Sequence, residues 1–222
     1  MLEFVLASRN KNKIAEYTEL LSFLSGKVKI LSLDDIGFEG DIVEDGASYE
    51  ENSVIKSSVP ASLGYIGLAD DSGLSVDVLD GAPGVYSARY AGAHVTYKDN
   101  NEKLLKALEG ESNRAAKFVC VISLTFPAGA LDVPEELIEC ELSSYASAKA
   151  GRPVCVVAVR GECPGVITRE LRGREGFGYD PLFLYEPSGV TFAEMSHEEK
   201  NAVSHRGRAV EKFTKAIKSL KL

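Results

Sequence analysis

The side chains that could do chemistry in this sequence fall in a few short segments. Ser8-Arg9-Asn10-Lys11-Asn12-Lys13 lies between an apolar opening run and a stretch of helical periodicity. The start of a helix offers free N–H groups and the positive end of the peptide dipole, which suits an anion. Ser8 and Asn10 can donate hydrogen bonds to phosphate oxygens, and Lys13 adds a point charge. The same residues would also serve as a solvated loop with an Asn or Ser cap, and the Walker spacing of glycines and lysine is absent. Asn52 and Lys56 are four apart and share one helix face. There an amide and an ammonium could hold a triphosphate, or lie exposed.

Ala69-Asp70-Asp71-Ser72-Gly73 is more informative, because two adjacent aspartates after an apolar run repel one another if both are buried without partners. Successive strand side chains alternate between faces, which predicts that one of the two enters a functional site. A carboxylate there can bind Mg2+ or take a proton from an attacking water. The plain alternative is an Asx-type turn at a strand end. Glu44, in Val43-Glu44-Asp45-Gly46, is a possible second hard ligand. In Gly173-Arg174-Glu175-Gly176-Phe177-Gly178-Tyr179-Asp180-Pro181, glycines around an aromatic let backbone approach a flat ligand, and Phe177 could stack on a base. Lys200 and Ser204-His205-Arg206-Gly207-Arg208 open the last helix, where His205 and Arg206 are adjacent donors able to read a carbonyl edge. A lone His on a helix is more often structural, so His205 gains weight only from its company.

The elements that must position these groups alternate along the chain. Residues 3–7 read as a strand covered on both faces, followed by a helix marked by Ile14, Tyr17, Leu21 and Leu24. Residues 28–31 read as a second strand, and Ser48-Tyr49-Glu50-Glu51 as a capping box opening a helix to about Val59. Strands are expected at 64–69 and 74–79, on either side of the aspartate pair. Thr96 caps a helix through Leu108 with Asp99 in its first turn. Residues 118–124 and 154–159 are rich in β-branched residues, 181–185 is a further short strand, and Val210, Phe213, Ile217 and Leu220 mark a closing helix. These elements predict one α/β unit over 1–222, a mixed sheet with flanking helices, with 127–152 as a hairpin extension or insertion.

At 222 residues the chain can bury roughly 70% of its unfolded surface, so it needs neither disulfides nor a structural metal. Its 25 Lys+Arg against 33 Asp+Glu give a net charge of −8, which argues against a nucleic-acid-coating role and points to local basic clusters for any phosphate. No apolar run reaches membrane-span length, and the N-terminus lacks the basic flank of a signal peptide. Cys120, Cys140, Cys155 and Cys163 have neither CxxC nor zinc spacing. A cytoplasmic protein with free thiols is expected.

Taken together, these segments resemble the inosine triphosphate pyrophosphatase family, which hydrolyses non-canonical purine nucleoside triphosphates. The likeness runs in order through residues 6–13, 51–56, 69–74, 81–90, 177–181 and 204–207, most of the chain. It implies an elongated α/β fold with a central cleft between two lobes on one long mixed sheet, a homodimer, and Mg2+-dependent cleavage to a monophosphate and pyrophosphate. By the same resemblance Ser8, Arg9, Asn10, Lys11, Asn12, Lys13 and Lys56 match triphosphate-binding positions, with Asn52 beside them. Glu44 and Asp71 match the metal-associated carboxylates, Asp71 also being the proton acceptor. Ser72, Phe177, Gly178, Tyr179, Asp180, Lys200, His205 and Arg206 match the nucleotide and base contacts. Arg9 and Asn12 stand where the family often has glycines, and Arg9 could supply charge instead.

The implied reaction needs a positioned water, charge relief on the phosphoryl oxygens and a stabilised leaving group. Hypoxanthine and xanthine carry an oxygen at position 6 where adenine carries an amino donor, so donors from His205, Arg206 or the 177–180 backbone would select them. The alternatives are a general nucleoside triphosphate pyrophosphatase with little base selectivity and a non-catalytic purine nucleotide sensor. RNA binding ranks below both, because the basic clusters are short.

Overall fold

The computed structural model describes residues 2–22, 26, 28–129 and 153–219. Most of the 127–152 segment, Cys140, Leu24, Leu220 and the side chain of Cys155 lie outside the described residues. Seven strands form the hydrogen-bonded order β2-β1-β3-β4-β5-β6-β7. They are β1 Leu2–Leu6, β2 Val28–Ser32, β3 Ile66–Val76, β4 Ala115–Phe126, β5 Val154–Ile167, β6 Phe183–Tyr185 and β7 Val190–Thr191. The helices are α1 Lys11–Leu20, α2 Tyr49–Ser62, α3 Tyr97–Ala107, α4 His197–Val203 and α5 His205–Ser219. β1 pairs in parallel with β2 and β3, while β6 pairs antiparallel with β5 and β7. The sheet is therefore mixed, as expected. No helix among the described residues is long and apolar enough to cross a membrane.

The chain divides into two compact units. The first comprises Met1–Asp71, Val121–Arg160 and Ala209–Leu222; the second comprises Ser72–Cys120 and Gly161–Arg208. In the first, Phe4, Val5 and Leu6 are buried, as a parallel strand covered on both faces requires. A seam of hydroxyls seats α2: Ser53 Oγ lies 2.8 Å from Ser123 Oγ, and Ser57 Oγ 2.7 Å from Thr125 Oγ1. All four residues are fully buried, so each hydroxyl must find a partner, and these pairs fix the register of the helix. Helix and sheet meet closely here, because a Cβ on Gly67 would lie 1.8 Å from the Ser57 carbonyl oxygen. In the second unit the core is aromatic: Phe118, Phe183 and Phe192 lie with ring centroids 4.6–5.8 Å apart.

Two sequence expectations need correction. The aspartate pair does not sit in a turn between two strands, since β3 runs unbroken from Ile66 to Val76. Each carboxylate has an ammonium partner, so neither has to fold back on its own backbone; residues 77–79 form a 3₁₀ turn instead. The second correction concerns α2, which continues past Val59 to Ser62 with Pro60 inside it. Ser48 Oγ accepts from Glu51 N as predicted, but Glu51 returns its hydrogen bond to Ala47 N, one residue earlier than a capping box requires. The Thr96–Asp99 capping box of α3 forms as expected.

Candidate active site

In the first unit, the loop before α1 is organised by its own polar side chains. Asn10 is the N-cap, its Oδ1 accepting from Asn12 N at 3.0 Å and Lys13 N at 3.3 Å, while Ser8 Oγ accepts from Asn10 N. Capping and anion binding are thus not exclusive readings of this loop: the cap accounts for Asn10 Oδ1, and the charge comes from Lys13. Lys11 and Asn12 are exposed. Arg9 is turned elsewhere. Its guanidinium donates to the Phe38 carbonyl at 2.6 Å and lies 3.5 and 3.6 Å from Asp34 and Asp41. Arg9 therefore lies along the 34–41 segment, where both of its ion pairs are open to solvent.

Asn52 and Lys56 are not exposed: Asn52 is fully buried and Lys56 nearly so. Asn52 Oδ1 accepts from Gly46 N at 2.9 Å, which ties the segment carrying Glu44 to the first turns of α2. Lys56 Nζ then lies 2.9 Å from Glu44 Oε2 and 2.6 Å from Asp71 Oδ1. Asp70 takes a separate partner, Lys13, at 3.0 Å. The strand alternation that was expected to send one aspartate to a site instead gives each its own lysine. Burial pushes the Asp71 carboxyl up to about 6, against the pull of Lys56 and Lys13. Burial also acts to lower the Lys56 pKa, but the charges of Asp71, Asp70 and Glu44 outweigh it and raise it.

This set fits a hard divalent cation delivered with phosphates. Asp71 Oδ2 is buried and makes no hydrogen bond among the described residues. Three carboxylates face two ammoniums, which leaves one negative charge over when all are ionised. Among the described residues there is no group of three or more His, Cys, Asp and Glu able to cage a metal. Mg2+ does not need one, since it is commonly held by one or two carboxylates and substrate phosphates.

In the second unit, residues 176–180 form a tight turn held from inside. Asp180 Oδ2 accepts from Phe177 N at 2.8 Å and from Lys200 Nζ at 2.8 Å. Gly176 has φ +75°, and a Cβ there would lie 2.2 Å from Asp180 Oδ2, so the turn requires glycine. Tyr179 is buried, and its hydroxyl donates to the Ser87 carbonyl at 2.9 Å. Asp180 and Tyr179 thus shape the turn, and Phe177 is what it presents. Lys200 Nζ and the Arg206 guanidinium lie 5.0 and 5.3 Å from the Phe177 ring centre. His205 stacks on Phe118 at 4.7 Å with the rings 13° apart, and Arg206 Nη2 is 3.5 Å from Ser72 Oγ. Lys200, His205 and Arg206 are all buried. Three basic side chains buried together, Lys200 on the Asp180 carboxylate, mark this cluster as more than a solvated helix start.

Sequence reasoning missed two supports. Asn101 Nδ2 donates to the Gly178 carbonyl at 3.0 Å and so pins the turn to α3. Its signal was available, because Asn100-Asn101 is a pair of poor helix formers just inside a capped helix. Phe118, the platform under His205, had no such signal, being one more apolar residue in a strand.

The chain is similar to the dITP/XTP pyrophosphatase of Clostridium perfringens, 42% identical over 99% of both chains, and to that of Syntrophobacter fumaroxidans, 45% identical over 93% of this chain and 78% of the relative. Its structure is similar to that of the Staphylococcus aureus Ham1 protein, with TM-score 0.79 and 32% identity over 98% of each chain. A HAM1 protein from Coxiella burnetii gives TM-score 0.79 and 38% identity, covering 99% of this chain and 100% of the other. A profile of the Ham1 family matches residues 4–216, and the chain belongs to that family.

Proposed function

We propose that this chain hydrolyses non-canonical purine nucleoside triphosphates (ITP, dITP and XTP) to the monophosphate and pyrophosphate, and so cleanses the nucleotide pool. The observation that carries the reading is the Glu44–Lys56–Asp71 constellation, with Lys56 and Asp71 buried, beside Lys13–Asp70, set in a chain whose relatives are named dITP/XTP pyrophosphatases. In the first unit Lys13 and Lys56 take the triphosphate charge. Glu44 and Asp71 would hold Mg2+, which when bound relieves charge on the phosphoryl oxygens. Asp71 orients the attacking water and accepts its proton.

In the second unit Phe177 stacks on the base, while His205 and Arg206 donate to the 6-oxygen. The Phe177 and Asp180 N–H groups are already taken, by the Asp180 carboxylate and the Phe177 carbonyl. Adenine would set its amino donor against theirs, and each donor left unpaired costs about 1–3 kcal/mol, roughly 5- to 150-fold in discrimination. The family resemblance supports a homodimer, and cysteines without CxxC or zinc spacing support a cytoplasmic location.

The test is pyrophosphate release from ITP, XTP, GTP and ATP, with and without Mg2+, by wild type and Asp71→Asn. ITP and XTP should be cleaved in preference, Mg2+ should be required, and Asp71→Asn should lose at least about 10²-fold in rate while retaining nucleotide affinity. Equal turnover of all four nucleotides would refute the selectivity. Full activity of Asp71→Asn would refute the assignment of the base.

A further inference from the structure

Lys56 extends from α2 to a place where its ammonium touches both carboxylates assigned to the cation, Glu44 at 2.9 Å and Asp71 at 2.6 Å. The Lys56 and Asp71 side chains are only 7% and 8% exposed, so water does little to solvate either charge. An ammonium in that position is a substitute cation. A divalent ion arriving alone would meet a like charge at close range, and displacing that charge would leave a buried ammonium without its partners. Triphosphate oxygens change this balance, because they offer Lys56 a replacement for the carboxylates it must leave. Lys13 pairs with a third carboxylate, Asp70, at 3.0 Å.

We propose that Lys56 is an internal counterion that holds the nucleotide-free protein unreceptive to divalent cations, and that the triphosphate frees the carboxylates by drawing the ammonium onto itself. This rests on the roles given above to Glu44, Asp71 and Lys56. It goes beyond them by giving Lys56 two alternative partners and by coupling two binding events. Cation and triphosphate each strengthen the other's binding to the protein, reciprocally, as linkage demands. Loss of the triphosphate returns Lys56 to Glu44 and Asp71 and lowers the affinity for the cation.

The experiment titrates Mn2+ alone into nucleotide-free protein, following the free ion by electron paramagnetic resonance. Wild type, Lys56→Met and Lys56→Met/Asp71→Asn are compared. Lys56→Met should bind Mn2+ about 10-fold or more tightly than wild type, within the usual range of coupling between sites, and the gain should vanish in the double variant. Equal affinity of wild type and Lys56→Met, or a gain that survives removal of Asp71, would overturn the proposal. Unpaired carboxylates could unfold Lys56→Met, so melting of this variant and of Lys56→Gln is recorded with and without Mn2+. Mn2+ should raise their Tm more than that of wild type, and an equal or smaller rise counts against the counterion. Pyrophosphate release from ITP by wild type is measured alongside. Its absence would remove the proposed activity and leave the Mn2+ titration to decide the role of Lys56.

Discussion

Replacing Gly67 by alanine tests whether the seating of α2 on β3 is what positions Lys56. The added Cβ would start 1.8 Å from the Ser57 carbonyl oxygen and 3.0 Å from Pro60 Cγ, and the nearer of these is rigid helix backbone. Helix and strand must part by more than about 1 Å to relieve it, an overpacking that costs about 1–3 kcal/mol. For a chain of this size that corresponds to a fall of about 2–12 °C in Tm. The hydroxyl seam gives way with the helix, because Ser53–Ser123 at 2.8 Å and Ser57–Thr125 at 2.7 Å have no slack. Lys56 precedes Ser57 and moves with it. A misplacement of about 1 Å at a reacting site costs on the order of 10²-fold, so kcat/KM for ITP should fall by that order. Thermal melting and steady-state pyrophosphate release, on the same preparation, measure both effects. An unchanged Tm would show that the close approach is not tight. A lowered Tm with kcat/KM intact would refute the claim that the helix–strand contact aims Lys56.

Two further outcomes are expected. Phe177→Ala should raise KM for ITP roughly 5- to 150-fold with a smaller effect on kcat, since base–aromatic stacking contributes about 1–3 kcal/mol; an unchanged KM would remove Phe177 from the base contact. Hydrogen bonds from Thr96, Thr191 and Ser196 lower the pKa values of Asp99, Glu194 and Glu199. For a carboxylate whose folded pKa lies below its unfolded one, the stabilisation is complete above the unfolded value, about 4, and is lost as pH falls through the folded value. Tm should therefore decline on acidification through that window, and less steeply in Glu199→Gln; parallel Tm–pH curves for the two proteins would contradict the cap's role.

Local chemistry made much of this molecule legible. The Thr96–Asp99 box sets the start of α3, and the same Ser/Thr-x-x-Glu pattern at Thr191–Glu194 and Ser196–Glu199 starts the next turn and α4, although the sequence reading passed over both. Such signals are readable because donor and acceptor lie within one turn of each other. The runs at 118–124 and 154–159 likewise marked β4 and β5, but both strands extend well beyond them, because pairing with neighbours rather than composition ends a strand.

By itself the sequence determined which residue types were present to bind phosphate, take a proton and stack on a base, because those capacities belong to the side chains. It also set the order of strands and helices, through the periodicity of apolar residues. Partner choice was left to the tertiary structure. Only there does Asp180 become an internal brace, Asp70 take Lys13, and Lys56 lie between Glu44 and Asp71. The physical reason is that a charge withdrawn from water must settle with whichever opposite charge the fold brings within reach, and that reach is measured in ångströms across elements far apart in the chain.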